Sequence, residues 1–351
     1  MDRANVSFDW WLITPVVLLV CLGLFMLRSV APQQLVSQTI FVAISVAVFL
    51  VFSLTDYRWF FSLHLPAYAL SLLAMILPFL FGISSRGAHR WLIFGDVFFQ
   101  PSEVAKPFLL ITFAMLAAGL SQYKQAKLAV AFLIPALIIF FQPDLGTMLV
   151  LTVGWLTVFV PQLPRKAVLV GALVLIILSP LTWFLLRDYQ RDRLLTFINP
   201  HSDPLGKGYQ VIQSTIAVGS GQWWGKGLGQ GTQSQLQFLP EQHTDFMFAT
   251  LAEELGFVGA GAVIILFGLV FNRIYALAFQ APDLAANFFC LGVLASLGFQ
   301  VFINIGMNMG LAPVTGITLP FVSYGGSSLL SLAITFGILA AISRQGAGKI
   351  A

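Results

Sequence analysis

Ten stretches of this chain are apolar for long enough to cross the hydrocarbon core of a bilayer, about 30 Å thick and spanned by roughly 20 helical residues. They fall near 10–29, 36–54, 64–82, 103–120, 127–142, 145–160, 167–186, 245–271, 285–309 and 319–342. Inside hydrocarbon every backbone N–H and C=O must find its partner within the protein, and runs of this length do so as helices. The expected fold is an all-α polytopic membrane protein of about ten transmembrane helices. It reads as a single membrane domain over 1–351, with one large loop, 187–243, between spans seven and eight. Composition agrees, since 9% of the residues are charged against about 25% in a soluble domain.

The fifth and sixth runs are separated by only Gln142, Pro143 and Asp144, which predicts a tight helical hairpin or one kinked pair. The opening MDRANVSFDWW reads as the lead into a first span and not as a removed signal peptide. Lys and Arg divide nine and nine between the two sets of loops, but five of one set lie in the long 187–243 loop. Long loops weigh little in the positive-inside rule, so both termini are expected in the cytoplasm and the 187–243 loop outside. A net charge of +4 with no Lys/Arg block excludes a nucleic-acid footprint. Cys21 and Cys290, both within apolar runs, read as small buried hydrophobes.

The informative polar residues gather on the expected outer side. Asp245 stands just before Phe246-Met247-Phe248, at the end of a glycine-rich loop in which Pro240 offers a helix start. An ionisable group at a membrane boundary is either a functional group or a solvated one. Pro101 suits the first turn of the fourth span and Ser102 is a candidate cap. Glu103 and Lys106, three residues apart, share a helix face and are expected to pair. The loop 83–102 sets Arg86 and Arg90 beside Trp91, a pattern that also fits a headgroup belt.

Within 187–243, Tyr209, Ile212 and Ile216 have the spacing of a short amphipathic helix lying in the interface. The run GSGQWWGKGLGQGTQSQ reads either as a lid or as a flexible connector. The Gly/Pro-rich stretch GLAPVTGITLPFVSYGGSS near membrane depth implies a cavity open to the outside, because irregular backbone survives there only inside protein or along a wet space. Asn304 and Asn308 either face that cavity or bond a neighbouring helix.

These residue types restrict the chemistry. The chain has four histidines and no HExxH, so a permanently held zinc is not expected, whereas a divalent ion carried on substrate phosphates stays open. No GxSxG nucleophile motif occurs. A carboxylate near a helix start can act as a general base, with the helix dipole favouring its anion and burial opposing it. Helical periodicity points Glu253 and Glu254 away from Asp245, so pairing with polar groups on other helices is their expected use.

Five segments in order carry a family resemblance: QPSEVAK, QPDLGT, GYQVIQSTIAVGSG, LGQGTQSQLQFLPEQHTDFMFATLAEELGFVG and NMGLAPVTGITLPFVSYGGSS. Together they resemble the SEDS family (shape, elongation, division and sporulation), and FLPEQHTDF is closer to its RodA branch than to its FtsW branch. The resemblance implies a peptidoglycan glycosyltransferase in the bacterial cytoplasmic membrane, active on the outer face. It would polymerise lipid II into a nascent β-1,4 glycan beside a class B penicillin-binding protein, in cell elongation. The family's essential aspartate corresponds to Asp245, its charged pair to Glu103 and Lys106, and its QPDLGT carboxylate to Asp144. On that reading Asp245 is the general base, and Arg86, Arg90, Arg193 or Lys207, or a divalent cation such as magnesium or manganese, meets the diphosphate. The same residues also suit a lipid II flippase, or a scaffold that positions the penicillin-binding protein without chemistry.

Overall fold

The computed structural model describes residues 8–85, 88–95, 97–185, 188–204, 206, 208–236 and 238–346. The first four helices are α1 (Trp10–Val30), α2 (Pro32–Leu54), α3 (Tyr57–Ser62) and α4 (His64–Phe81). A small antiparallel sheet follows, ordered β1 (Ile83–Ser85), β2 (Ala88–Phe94) and β3 (Val97–Phe99). Then come α5 (Pro101–Ala118), α6 (Lys124–Phe141), α7 (Leu145–Phe159) and α8 (Arg165–Leu185). The long loop holds α9 (Asp188–Ile198), α10 (Tyr209–Ser220) and α11 (Thr232–Gln235), and the chain ends in α12 (Met247–Gln280), α13 (Leu284–Asn308) and α14 (Gly326–Gly346). Among the described residues nine helices are long and apolar enough to cross a membrane, and the seventh apolar run is helical as α8.

These helices alternate in direction, so the described residues of 82–100, 142–144, 188–246 and 309–325 share one end of the bundle, the site end. The most enclosed helices are α5, α13 and α14. Around them α14 packs on α2 and α5, α13 on α5, α7 and α12, and α12 on α1. Large apolar side chains such as Leu70, Phe81, Ile176 and Phe279 point outward, as in helices solvated by lipid, where the apolar face gains nothing by turning inward. At the opposite end Arg273 Nε and Ser343 Oγ both donate to Asp9 Oδ2, at 2.7 and 2.8 Å, tying α1, α12 and α14. Nearby the Tyr57 hydroxyl donates to Asp283 Oδ2 at 2.6 Å. Burial first, and that acceptor second, push the phenol up to about 12, so it remains a donor.

Several expectations need correction. The all-α membrane fold is as expected, but the loop after the third span is not wholly irregular, since its described residues form a small three-stranded sheet. The last span begins at Gly326, because 309–325 is irregular. No helix starts at Pro240, since 240–246 is a run of turns and α12 begins at Met247. Ser102 does not cap α5, whose cap residue is Gln100 with no side-chain bond. Cys290 is buried as expected, but Cys21 is exposed on the outer face of α1. The 142–144 link makes a hairpin, closed by Trp155 Nε1 of α7 on the Leu128 carbonyl of α6 at 3.0 Å. The amphipathic helix exists as α10, but the face it buries in protein is Val211, Ser214 and Ala217, and Ile216 faces away.

The glycine-rich segment is bonded into α12. α12 is broken at Gly256, whose φ of 65° and ψ of −164° are non-helical. A break in a membrane helix would strand the Glu253 and Glu254 carbonyls and the Phe257 and Val258 amides, at a cost of several kcal/mol per unpaired group. Here the loop inserts into the ladder. Lys226 and Gly227 amides donate to the Glu253 and Glu254 carbonyls, each at 3.0 Å. Phe257 and Val258 donate in turn to Gln222 and Trp223, at 2.7 and 3.2 Å.

The two carboxylates reinforce the graft. Glu253 takes the Lys226 ammonium at 2.8 Å and the amides of Gln233 and Ser234 at the start of α11. Glu254 takes the Ser29 hydroxyl of α1 at 2.7 Å and Gln235 Nε2 at 3.1 Å. Pairing on other elements is thus their use, as the periodicity implies.

Gly225, at φ 78°, would place a Cβ 2.2 Å from the Glu254 carbonyl oxygen, whereas a Cβ on Gly261 meets open space. Gly225→Ala is expected to destabilise the detergent-solubilised protein by about 1–3 kcal/mol. Gly261→Ala should be neutral or slightly stabilising, as helix propensity favours alanine by up to about 1 kcal/mol. Thermal unfolding of the two variants side by side checks the contrast.

Candidate active site

Residues 243–245 have all three carbonyls bound by the last third of the chain. The His243 carbonyl accepts the Tyr324 amide at 2.9 Å, and the Thr244 carbonyl accepts Ser323 Oγ at 2.6 Å. The Asp245 carbonyl accepts two side-chain amides, Asn304 Nδ2 and Asn308 Nδ2, each at 3.0 Å. Asn308 Oδ1 takes the Ala249 amide of the first turn of α12, and Asn304 Nδ2 also reaches the Ile317 carbonyl at 2.7 Å. Both asparagines are fully buried. Asn308 bonds the neighbouring helix α12 at Ala249, the second of the two readings, whereas Asn304 bonds non-helical backbone at Asp245 and Ile317. Next to Asp245, Phe246 packs with Ala217, Leu239 and Ala249 in a small separate core against Val314. The backbone is thereby held on both sides of the carboxylate.

The Asp245 side chain, half-buried, looks toward Gly316 of the irregular segment. A Cβ on Gly316 would stand 3.6 Å from Asp245 Oδ2 and 4.0 Å from Arg193 Nη1. Its φ of 76° suits glycine. Arg193, exposed on α9, donates to the Val314 carbonyl at 3.0 Å, so a cation of the long loop is anchored beside the acid. His243 lies against Tyr324 with ring centroids 5.7 Å apart. Burial lowers its pKa below the ordinary imidazole value, with the nearby Glu241 charge opposing, so it is neutral at pH 7 and supplies no cation.

The same irregular segment meets the other motifs. A Cβ on Gly146 would stand 2.7 Å from Ile317 Cγ1, so the 144–147 turn packs directly on it. Asp144 caps α7 through the Thr147 amide and takes Thr147 Oγ1 and Gln100 Nε2 at 2.9 and 2.8 Å. The Gln100 amide donates to Ser327 Oγ at 2.9 Å. Arg90 does not join a headgroup belt. It turns inward from β2, donates to the Gln142 and Pro143 carbonyls, and stands 3.8 Å from Asp144.

Glu103 and Lys106 pair at 2.7 Å on α5, as their spacing predicts. The ammonium borders a narrow cleft between α5, α7, α13 and α14, with Ser296, Gln300, Ser331 and Thr335 among its polar lining. Gln300 lies one turn from Asn304 on α13 and donates to the Thr318 carbonyl. The polar ladder Gln300, Asn304, Asn308 thus runs from the cleft to Asp245. Among the described residues no three His, Cys, Asp or Glu side chains stand together as a metal site. Arg86 and Lys207 lie outside the described residues. Sequence reasoning assigned no role to Gln100, Gly316, Ser323 and Ser327, whose contacts join segments distant in the chain and leave no periodic signal.

This arrangement has close counterparts. The family model for cell cycle proteins of the FtsW/RodA/SpoVE type matches residues 8–347. The chain is 42% identical over 281 residues to the peptidoglycan glycosyltransferase MrdB of Escherichia coli K12, covering 78% of this chain and 76% of that one. It is 37% identical to stage V sporulation protein E of Bacillus subtilis 168, over 98% of this chain and 99% of the other. Among solved structures, a chain from a peptidoglycan synthase complex that coordinates polymerization and crosslinking superposes with a TM-score of 0.84 at 37% identity, over 97% of this chain and 98% of that one. Rod shape determining protein RodA of Thermus thermophilus superposes at 0.73 with 31% identity and the same coverage. With its helices, its site-end motifs and nearly its whole length in correspondence, the chain belongs to the FtsW/RodA/SpoVE family, the SEDS proteins.

Proposed function

We propose that the protein is a peptidoglycan glycosyltransferase that polymerises lipid II into β-1,4 glycan strands for cell elongation. It works on the outer face of the bacterial cytoplasmic membrane, with both termini inside and a class B penicillin-binding protein as partner. The observation that carries this reading is the carboxylate of Asp245, held by a clamped backbone beside Arg193.

In the proposed step the acceptor's 4-hydroxyl attacks the anomeric carbon of the donor sugar. A new C–O bond forms as the bond to undecaprenyl diphosphate breaks. The hydroxyl proton goes to Asp245, the electron pair leaves with the diphosphate, and the anomeric configuration inverts. A diphosphate needs charge stabilisation more than a proton, so one base suffices. Arg193 is the described cation best placed for that charge, with Arg86 and Lys207 as further candidates, whereas Arg90 is engaged with the 142–144 turn. The described donors do not make a resident metal site, so a magnesium or manganese ion is proposed only as a companion of the diphosphate.

Three outcomes test the assignment. Asp245→Asn is expected to lower polymerisation of labelled lipid II by at least about 100-fold, the lower bound for losing a positioned base. A wild-type rate from folded, membrane-inserted Asp245→Asn removes Asp245 as the base. Asn308→Ala withdraws one donor from the Asp245 carbonyl and leaves the Ala249 amide unpaired. Turnover should fall toward the roughly 100-fold lost on a misplacement of about 1 Å, with KM for lipid II little changed. For the α5 pair, reversing one charge leaves like charges in contact, at a cost of about 3–5 kcal/mol or more. The double Glu103→Lys/Lys106→Glu variant is therefore expected to regain activity over either single reversal in the same gel assay.

A further inference from the structure

The break in α12 is a depth marker. Its second half, 257–280, is about 36 Å long at 1.5 Å per residue, enough by itself to cross roughly 30 Å of hydrocarbon. The first half, 247–255, is therefore surplus to the crossing and stands beyond it. α1 gives the same level independently. That helix is about 31 Å long, with Trp10 and Trp11 exposed at one end, and at its other end Ser29 bonds Glu254 and the Gly229 amide. The two helices place one bilayer boundary at the plane of Ser29, Glu254 and Gly256, and α1 places the other at Trp10 and Trp11.

The glycine-rich turn is grafted into that plane by the four backbone hydrogen bonds around the break. It presents Trp223 and Trp224, 66% and 81% exposed. Trp223 packs edge-on against Phe257, with centroids 5.0 Å apart. Phe257 is 63% exposed, and below it Val258, Ile264 and Ile265 are exposed along the same helix. The two indoles are thus continuous with an apolar face of a membrane-crossing helix and sit at its upper edge, where amphipathic aromatic rings are favoured. The neighbouring cation is already engaged, since Lys226 is paired with Glu253.

We infer that Trp223, Trp224 and Phe257 form a lipid-binding anchor that inserts at the boundary between headgroups and acyl chains and fixes the depth of the 221–231 turn in the membrane. Water as the surroundings would leave two indoles solvated beside a lipid-facing helix. A protein partner would have to enter the bilayer boundary to cover them. One consequence rests on the proposed transferase reading. Residues 247–255 lift Asp245 about 13 Å beyond the boundary, the level of a lipid-linked sugar and not of its polyprenyl chain.

The anchor is tested on the full-length protein in phosphatidylcholine/phosphatidylglycerol vesicles, with Cys21 and Cys290 replaced by alanine. A nitroxide is attached at Trp224→Cys and, for comparison, at Ile265→Cys in mid-span and Ser202→Cys in the exposed loop. Power saturation reads each label's access to oxygen, which partitions into lipid, and to a water-soluble nickel chelate. At 224 the oxygen-to-nickel ratio is expected to lie several-fold above that at 202 and below that at 265. A ratio equal to that at 202 means the turn is in water and overturns the anchor, and one equal to that at 265 overturns its boundary depth. Low access to both reagents means a protein surface covers the turn, which also overturns it. A second measurement keeps the native turn. Tryptophan emission of the wild-type chain is quenched with lipids brominated near the headgroup, and Trp223→Ser/Trp224→Ser should remove part of the quenched component. Unchanged quenching counts against the anchor. Neither readout depends on polymerisation, so loss of the anchor and loss of the transferase reading are separate results.

Discussion

The peptide carbonyl of Asp245 accepts two side-chain amides at once, from Asn304 and Asn308, one turn apart on α13. Much of the site end depends on that clamp. A backbone leaving a membrane helix has carbonyls and amides without helical partners, and every one left unpaired in the bundle costs stability. The asparagines satisfy the segment before α12, the first turn of α12 through Ala249, and the irregular 309–325 segment through Ile317. One pair of neutral side chains therefore joins three stretches that share no secondary structure. Because the amides bond the main chain, they hold the position of the Asp245 side chain without using its oxygens.

The break at Gly256 solves the same problem by another device. At Asp245 side chains supply the missing donors, whereas at Gly256 a second backbone does so, amide for amide and carbonyl for carbonyl. Glu253 and Glu254 then stabilise that second backbone from below, each taking donors from the loop. A carboxylate bonded to that many donors is held in one geometry. Three acids in one decade of sequence thus divide by environment, two that staple a loop and one that stands near an anchored arginine.

What the sequence made legible follows from periodicity and charge. Ten apolar runs announce the helices, and the three-residue spacing of Glu103 and Lys106 announces their ion pair. The position of α10 is readable too, but the face it buries is not. Tyr209, Ile212 and Ile216 are the more apolar stripe, and a helix at a membrane surface can turn that stripe to lipid while its smaller residues Val211, Ser214 and Ala217 meet the protein. Arg90 shows the same limit. Beside Trp91 it has the composition of a headgroup belt, and only the hairpin of β2 against the 142–144 turn reveals that it points inward. Gln100 and Ser327 are invisible for a different reason: they meet across more than 200 residues of chain through one backbone amide.

The convergence of the motifs has a simple geometric cause. The 309–325 segment has no regular structure with which to pair its own polar groups, so it must be surrounded by partners, and several of them lie in the family's motifs. Ser323 and Tyr324 hold 243–244, Ile317 meets Gly146, Gly316 faces Asp245 and Arg193, and Ser327, just past the segment's end, receives Gln100. The long loop adds Arg193 to this polar floor through its bond to the Val314 carbonyl. On the proposed reading, an acceptor hydroxyl reaching Asp245 would meet a base whose backbone is held in place. The rigidity that the irregular segment demands for its own stability is thus the same rigidity that an oriented proton transfer requires.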